Sequence, residues 1–116
     1  MKVLVVDDSA VMRKIVVKAL NEGGHTDVVE ASNGKEALDK SGDVDIVFTD
    51  WNMPVMDGLT FVMKLRKSSK IPVVMVTTEG GQKEVLEAMK NGVNDYIVKP
   101  FKPNVLLTKV ENLLKK

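Results

Sequence analysis

The sequence has no cysteine. Disulfides and thiolate metal sites are therefore excluded, and a reducing compartment, the cytoplasm, is the expected location. It also lacks an excess of charge: 17 Lys and Arg against 16 Asp and Glu leave +1. Bulk electrostatics thus point to neither nucleic acid nor a membrane surface as partner. No apolar run approaches the ~20 residues of a spanning helix. The first residues, Met1-Lys2-Val3-Leu4-Val5-Val6, start like a secretory signal, but the run is too short and Asp7-Asp8 end it. There is no repeat, no low-complexity tract and no linker. With 116 residues the chain reads as one domain, 1–116. Such a chain buries roughly two-thirds of its unfolded surface, enough for one core.

What is present is a set of short apolar runs, each closed by a polar residue. Val3-Leu4-Val5-Val6 ends at Asp7-Asp8, Ile46-Val47-Phe48-Thr49 at Asp50, Val73-Val74-Met75-Val76 at Thr77, and Tyr96-Ile97-Val98 at Lys99. Continuous Val/Ile-rich runs suit parallel strands buried on both faces. A further short strand is expected over Asp27 to Ala31.

Amphipathic segments alternate with these runs every twenty to twenty-five residues or so, the rhythm of repeated βα units. The first carries Met12, Ile15, Val16, Ala19 and Leu20 on one face, with Arg13, Lys14 and Lys18 opposite, and stops at Gly23-Gly24. Asn33 and Glu36 have the spacing of a capping box before a short helix that Gly42 stops. Asp57 caps a third helix expected to bury Leu59, Val62 and Leu65. A fourth carries Val85, Leu86 and Met89 and ends at Gly92. The last has Pro103 in its first turn and a stripe of Leu106, Val110, Leu113 and Leu114. The expected fold is α/β: a doubly wound (βα)5 protein with a five-stranded parallel sheet. Right-handed crossovers place helices on both faces. The flavodoxin-like order 2-1-3-4-5 is adopted by analogy.

Open parallel sheets bind ligands outside the carboxyl ends of their strands. Asp7, Asp8, Asp50, Thr77 and Lys99 would converge there. Singly, each has an ordinary explanation: Asp8 as a helix cap, Thr77 as a strand-end threonine, Lys99 as a solvated lysine. Adjacent aspartates beside a third are unfavourable unless something positive lies between them. Mg2+ takes oxygen ligands and keeps several waters, so three carboxylates, a hydroxyl and an ammonium suit a divalent cation beside a phosphoryl group. Lys99-Pro100 sets the lysine in a turn, where a cis bond is possible.

Taken together, Asp7-Asp8, Asp50 with Trp51-Asn52-Met53-Pro54 and Met56-Asp57-Gly58, Thr77, and Lys99-Pro100-Phe101 resemble the receiver domain of two-component response regulators. The resemblance runs from Val3 to the last helix. Trp51, Asn52, Glu79 and Tyr96 are most similar to its single-domain chemotaxis branch, whose members also lack an output domain. Ser9, where that branch usually has a bulky aromatic, and Thr78, where alanine is common, depart from it, and the connection near Ser41-Gly42-Asp43 is short.

The resemblance implies a phosphorylation-activated switch rather than a metabolic enzyme. Asp50 is then the phosphoacceptor, attacking a phosphohistidine of a histidine kinase. Asp7, Asp8, Asp50 and the backbone carbonyl of Asn52 hold Mg2+. Lys99 and Thr77 contact phosphoryl oxygens, Tyr96 with Thr77 forms the switch, and Asn52 and Glu79 tune dephosphorylation. Helix 4, strand 5 and helix 5 form the output face for a downstream target, such as a flagellar motor switch, and the chain acts as a monomer. Lys102, Lys109, Lys115 and Lys116 make its last segment basic. His25, in a loop after Gly24, reads as solvated, neither ligand nor phosphodonor. The alternatives are a receiver module of a larger or non-chemotaxis regulator, an aspartyl-phosphate hydrolase, a flavin carrier, and a pseudo-receiver. The hydrolase needs a second aspartate two residues past the nucleophile, where Asn52 stands. The carrier needs a phosphate loop that Asp7-Asp8-Ser9 would repel.

Overall fold

A computed structural model describes residues 1–114. Lys115 and Lys116, part of the basic final segment, lie outside the described residues. Ten elements alternate: β1 (Val3–Val6), α1 (Ala10–Glu22), β2 (Val28–Ala31), α2 (Gly34–Lys40), β3 (Ile46–Thr49), α3 (Gly58–Leu65), β4 (Val73–Thr77), α4 (Gln82–Lys90), β5 (Asp95–Val98) and α5 (Pro103–Leu114). The strands form one sheet in the order β2-β1-β3-β4-β5, and every pairing is parallel. The flavodoxin-like order expected by analogy is the observed one.

β1, β3 and β4 are buried along their whole length, as their unbroken apolar runs require. Alternate side chains of these strands feed two cores. Leu4, Val6, Val47, Val73 and Met75 pack with Ala37, Phe61, Val62, Leu65 and Ala88 from α2, α3 and α4. Val3, Val5, Ile46, Phe48, Val74 and Val76 pack with Val16, Ala19, Leu20, Leu106 and Val110 from α1 and α5. The sheet is therefore covered on both faces, and its carboxyl edge is left to loops.

The caps explain the helix starts. Ser9, not Asp8, caps α1, its hydroxyl accepting from the Met12 N–H at 3.3 Å. Asn33 caps α2 by accepting from the Glu36 N–H at 2.8 Å. Glu36 does not complete the box; its carboxylate accepts from the Ser32 hydroxyl at 3.1 Å and pairs with Lys40 at 3.0 Å. Asp57 caps α3 as expected, accepting from the Thr60 N–H at 2.8 Å.

Three expectations about burial need correction. α3 buries Phe61 with Val62 and Leu65, while Leu59 is only half-buried. Ile15 on α1 is 45% exposed. α4 buries only Ala88, leaving Leu86 58% and Met89 42% exposed. Helical periodicity predicts which residues share a face; it does not show that the face is covered.

Candidate functional site

The sheet register carries the polar residues to one edge. Val6 pairs with Thr49 across β1 and β3, so Asp7 and Asp50 lie side by side one residue further on. The Asp50 N–H donates to the Val6 carbonyl at 2.9 Å, and Lys99 N–H to the Thr77 carbonyl at 2.9 Å. The start of α3 closes on this edge so tightly that a Cβ at Gly58 would run into the Asp50 carbonyl. Only glycine fits there.

Asp7, Asp8 and Asp50 each present a carboxylate oxygen within 4.8 Å of the others. Asp7 is 4% exposed, whereas Asp8 is open to solvent. The Lys99 ammonium, 8% exposed, lies 2.7 Å from Asp7 Oδ2 and 3.3 Å from Asp50 Oδ2. Three carboxylates thus gather where one buried ammonium pairs with two of them and the third, Asp8, opens to solvent. Like charges this close oppose one another, so the set favours an additional cation. All the anionic donors are oxygen, which matches a hard divalent ion of the Mg2+ kind.

The remaining expected residues flank the cluster. Thr77 is fully buried, and its hydroxyl accepts from the Glu79 N–H at 3.4 Å. Asn52 and Glu79, both exposed, meet through Asn52 Nδ2 and Glu79 Oε1 at 3.3 Å. The Tyr96 hydroxyl donates to the Glu79 carbonyl. Burial first, then the charges of Glu79, Glu84 and Asp50, push the Tyr96 phenol up to about 12. The Lys99–Pro100 peptide is cis.

Some contacts have no counterpart in the sequence reading. The Ser9 N–H donates to Asp7 Oδ1 at 2.9 Å, and the Trp51 N–H to Asp50 Oδ1 at 2.7 Å. Arg13, expected on the solvent face, has a side chain only 19% exposed and donates to the Asp7 carbonyl at 2.6 Å. Its position, one turn inside a helix that begins just after the acidic pair, was the available signal.

The fold and site define a doubly wound α/β protein with three aspartates and a buried lysine gathered at the carboxyl edge of its parallel sheet. Comparison with known proteins makes the class specific. The model of the response regulator receiver domain matches residues 3–111, and the chain belongs to that family. It is 54% identical to a chemotaxis protein CheY homolog of Campylobacter jejuni, over 98% of this chain and 92% of that one. It is 52% identical to chemotaxis protein CheY1 of Helicobacter pylori, over 98% and 97%. Among solved structures, Vibrio cholerae CheY4 matches with a TM-score of 0.89 at 38% identity, covering 97% of this chain and 98% of that one. The CheY of a CheX-CheY-BeF3-Mg2+ complex from Borrelia burgdorferi matches with a TM-score of 0.92 at 29% identity, covering 100% and 90%.

Proposed function

We propose that this protein is a phosphorylation-activated switch of a chemotaxis pathway, in which Asp50 accepts a phosphoryl group from a histidine kinase. The observation that carries the reading is the Lys99 ammonium lodged between Asp7 and Asp50 beside the exposed Asp8. A carboxylate oxygen of Asp50 attacks phosphorus, the phosphorus–nitrogen bond of the donor phosphohistidine breaks, and a mixed anhydride results. Asp7, Asp8, Asp50 and the Asn52 carbonyl would hold Mg2+, which supplies charge neutralisation for phosphoryl oxygens. The chain's own residues do the rest. The Trp51 N–H fixes one Asp50 oxygen. Lys99 neutralises the other and, bridging Asp7 and Asp50, is placed to exchange its longer contact for a phosphoryl oxygen. The Thr77 hydroxyl, held now only by a long bond from Glu79, is available to donate to another.

The output follows from the same links. Glu79 joins Thr77 through its N–H, Asn52 through its carboxylate and Tyr96 through its carbonyl. A shift of Thr77 toward the acceptor therefore reaches Tyr96 on β5 and the neighbouring α4. Leu86, Met89, Val98 and Val105 are exposed on α4, β5 and α5, an apolar surface suited to a target protein such as a flagellar motor switch. Asn52 and Glu79 orient the water that hydrolyses the anhydride. We take the protein as a cytoplasmic monomer, by likeness to its CheY relatives. Among the described residues no helix is long and apolar enough to cross a membrane.

The direct test is acid-labile labelling by a small phosphodonor with Mg2+. The parent is labelled, and Asp50→Asn, isosteric and folded by circular dichroism, is not. Undiminished labelling of the variant would overturn the assignment of the acceptor.

A further inference from the structure

Every oxygen of Asp7 has a donor. Oδ1 takes the Ser9 N–H at 2.9 Å, Oδ2 takes Lys99 at 2.7 Å, and the carbonyl takes Arg13 Nη1 at 2.6 Å. Asp8, the third member of the acidic cluster, is exposed. Its place beside Asp7 and Asp50 is set from the backbone outward. The Asp7 carbonyl belongs to the peptide group that joins Asp7 to Asp8, and that group is planar. A donor held on this oxygen restrains rotation of that plane and so the placement of the Asp8 Cα that lies in it, which narrows the range over which the Asp8 carboxylate can swing.

Arg13 is anchored well enough to serve as that donor. Its backbone N–H donates to the Ser9 carbonyl at 3.0 Å, in the first turn of α1. Its Nε pairs with Glu30 at 3.1 Å, and Glu30 sits on β2 opposite Val5 of β1. The guanidinium therefore spans from β2 to the end of β1, with Nε on Glu30 and Nη1 on the Asp7 carbonyl, two donors held in one rigid plane. We infer that Arg13 is a positioning residue for the cation site, holding the Asp7–Asp8 peptide so that Asp8 faces Asp7 and Asp50.

Two effects of Arg13 oppose each other. As a positive charge near three carboxylates it disfavours a second cation. As a brace it favours one, by sparing the site the ordering of a mutually repelling pair. The sign of a mutational change separates them. A neutral replacement tightens Mg2+ binding if charge is what matters and weakens it if position is.

The inference rests on the reading of Asp7, Asp8 and Asp50 as a cation site, and the test keeps the two apart. Mg2+ is titrated into the full chain and followed by the fluorescence of Trp51, the sole tryptophan, which adjoins Asp50. Arg13→Gln is expected to weaken binding at least fivefold. Arg13→Lys keeps the charge but loses the fork, and is expected to weaken it at least twofold. Labelling by a small phosphodonor at increasing Mg2+ is expected to need more Mg2+ for half-maximal rate in both variants and to reach the parental plateau. Thermal melts establish that each variant is folded at the titration temperature; should Arg13→Gln not be, Arg13→Lys decides alone. Equal or tighter binding in the folded variants, with Asp8→Ala still weakened, overturns the role of Arg13 and leaves the site standing. A parent that binds no Mg2+ overturns both.

Discussion

Two cations occupy opposite edges of the same sheet and keep different company. At the carboxyl edge, Lys99 meets the carboxylates of Asp7 and Asp50, with Asp8 close by. At the amino edge, Arg66 at the end of α3 meets only neutral oxygens. Its Nε and Nη2 donate to the Gly92 carbonyl at 2.9 and 2.8 Å, Nη1 to the Ile71 and Ser69 carbonyls at 2.8 and 3.2 Å, and Nη2 to Asn94 Oδ1 at 2.8 Å. That Asn94 oxygen also accepts from the Val73 N–H at 2.8 Å. Arg66 thus ties the end of α3 to the entries of β4 and β5 and leaves little for a ligand to add. The Lys99 cluster has an excess of negative charge and leaves a cation to be added. A saturated cation holds a fold together; an outnumbered one marks a binding edge.

The largest effect that can test this contrast is at Arg66. Arg66→Met keeps the aliphatic stem and removes every donor, stranding the Gly92, Ser69 and Ile71 carbonyls at a part-buried edge and leaving the Asn94 oxygen only the Val73 N–H. A loss of about 3 kcal/mol is expected from urea unfolding, since each stranded acceptor costs about 1 kcal/mol or more. Phosphoryl labelling of the folded fraction should be unchanged. A variant as stable as the parent would show that the amino edge does not depend on this network.

Tyr96 reports the burial and, after it, the charge at the other edge. It is the only tyrosine, so phenolate absorbance belongs to it alone. Its midpoint should fall near 12, against about 10 for an unperturbed tyrosine. Because the folded value is raised, this contribution to stability is complete below about pH 10 and is lost as pH rises toward 12. A midpoint near 10 would mean that burial and the neighbouring carboxylates do not act on the ring. Tyr96→Phe should remove the transition.

Replacing Asp8 by Ala sharpens the contrast by reducing the excess charge. Mg2+ affinity should fall at least tenfold, about 1.4 kcal/mol, while the metal-free melting temperature rises because two carboxylates now repel where three did. Unchanged affinity would place the cation elsewhere. The flanking pair is expected to set the phosphate lifetime. Asn52 and Glu79 touch at 3.3 Å on the open side of the site, where they can orient water. The phosphoprotein should last seconds to minutes, and Asn52→Lys with Glu79→Leu should extend that by more than tenfold, roughly 1.4 kcal/mol on the barrier. An unchanged decay rate in the double variant would remove both residues from hydrolysis.

The two edges were unequally legible in the sequence. The acidic edge was readable because its residues close apolar runs, and parallel strands in register must bring such residues together. Arg66 was not readable, since most of its partners are backbone carbonyls on loops and carry no side-chain pattern. Arg13 was hidden for the same reason: next to Lys14 it looks like one more solvated cation, and its partner at the site is a carbonyl. α4 misled through its regularity. Val85, Leu86 and Met89 share a face as periodicity requires, but only Ala88 reaches the core.

Smallest of the expected effects is one at Val55, in the loop between β3 and α3. Val55 has φ 70 and is 78% exposed. The Met56 N–H donates to the Pro54 carbonyl at 2.7 Å, so Val55 is the centre of a three-residue γ-turn with positive φ, a strained form. A β-branched side chain is poorly suited to that region, and glycine enters it freely. The turn has little room to relax. The Met56 carbonyl accepts from the Gly34 N–H at 2.9 Å at the start of α2, and Asp57 caps α3. Val55→Gly should therefore relieve strain of about 1–2 kcal/mol while giving back a few tenths through a more flexible unfolded chain. A net gain of about 1 kcal/mol is expected, read as a higher urea midpoint at constant slope. Because the turn itself is retained, Asp50 labelling should proceed at the parental rate. A loss of stability would mean that the exposed valine makes contacts outweighing its strain. Faster or slower labelling would mean that the strained turn helps to set the geometry at Asp50.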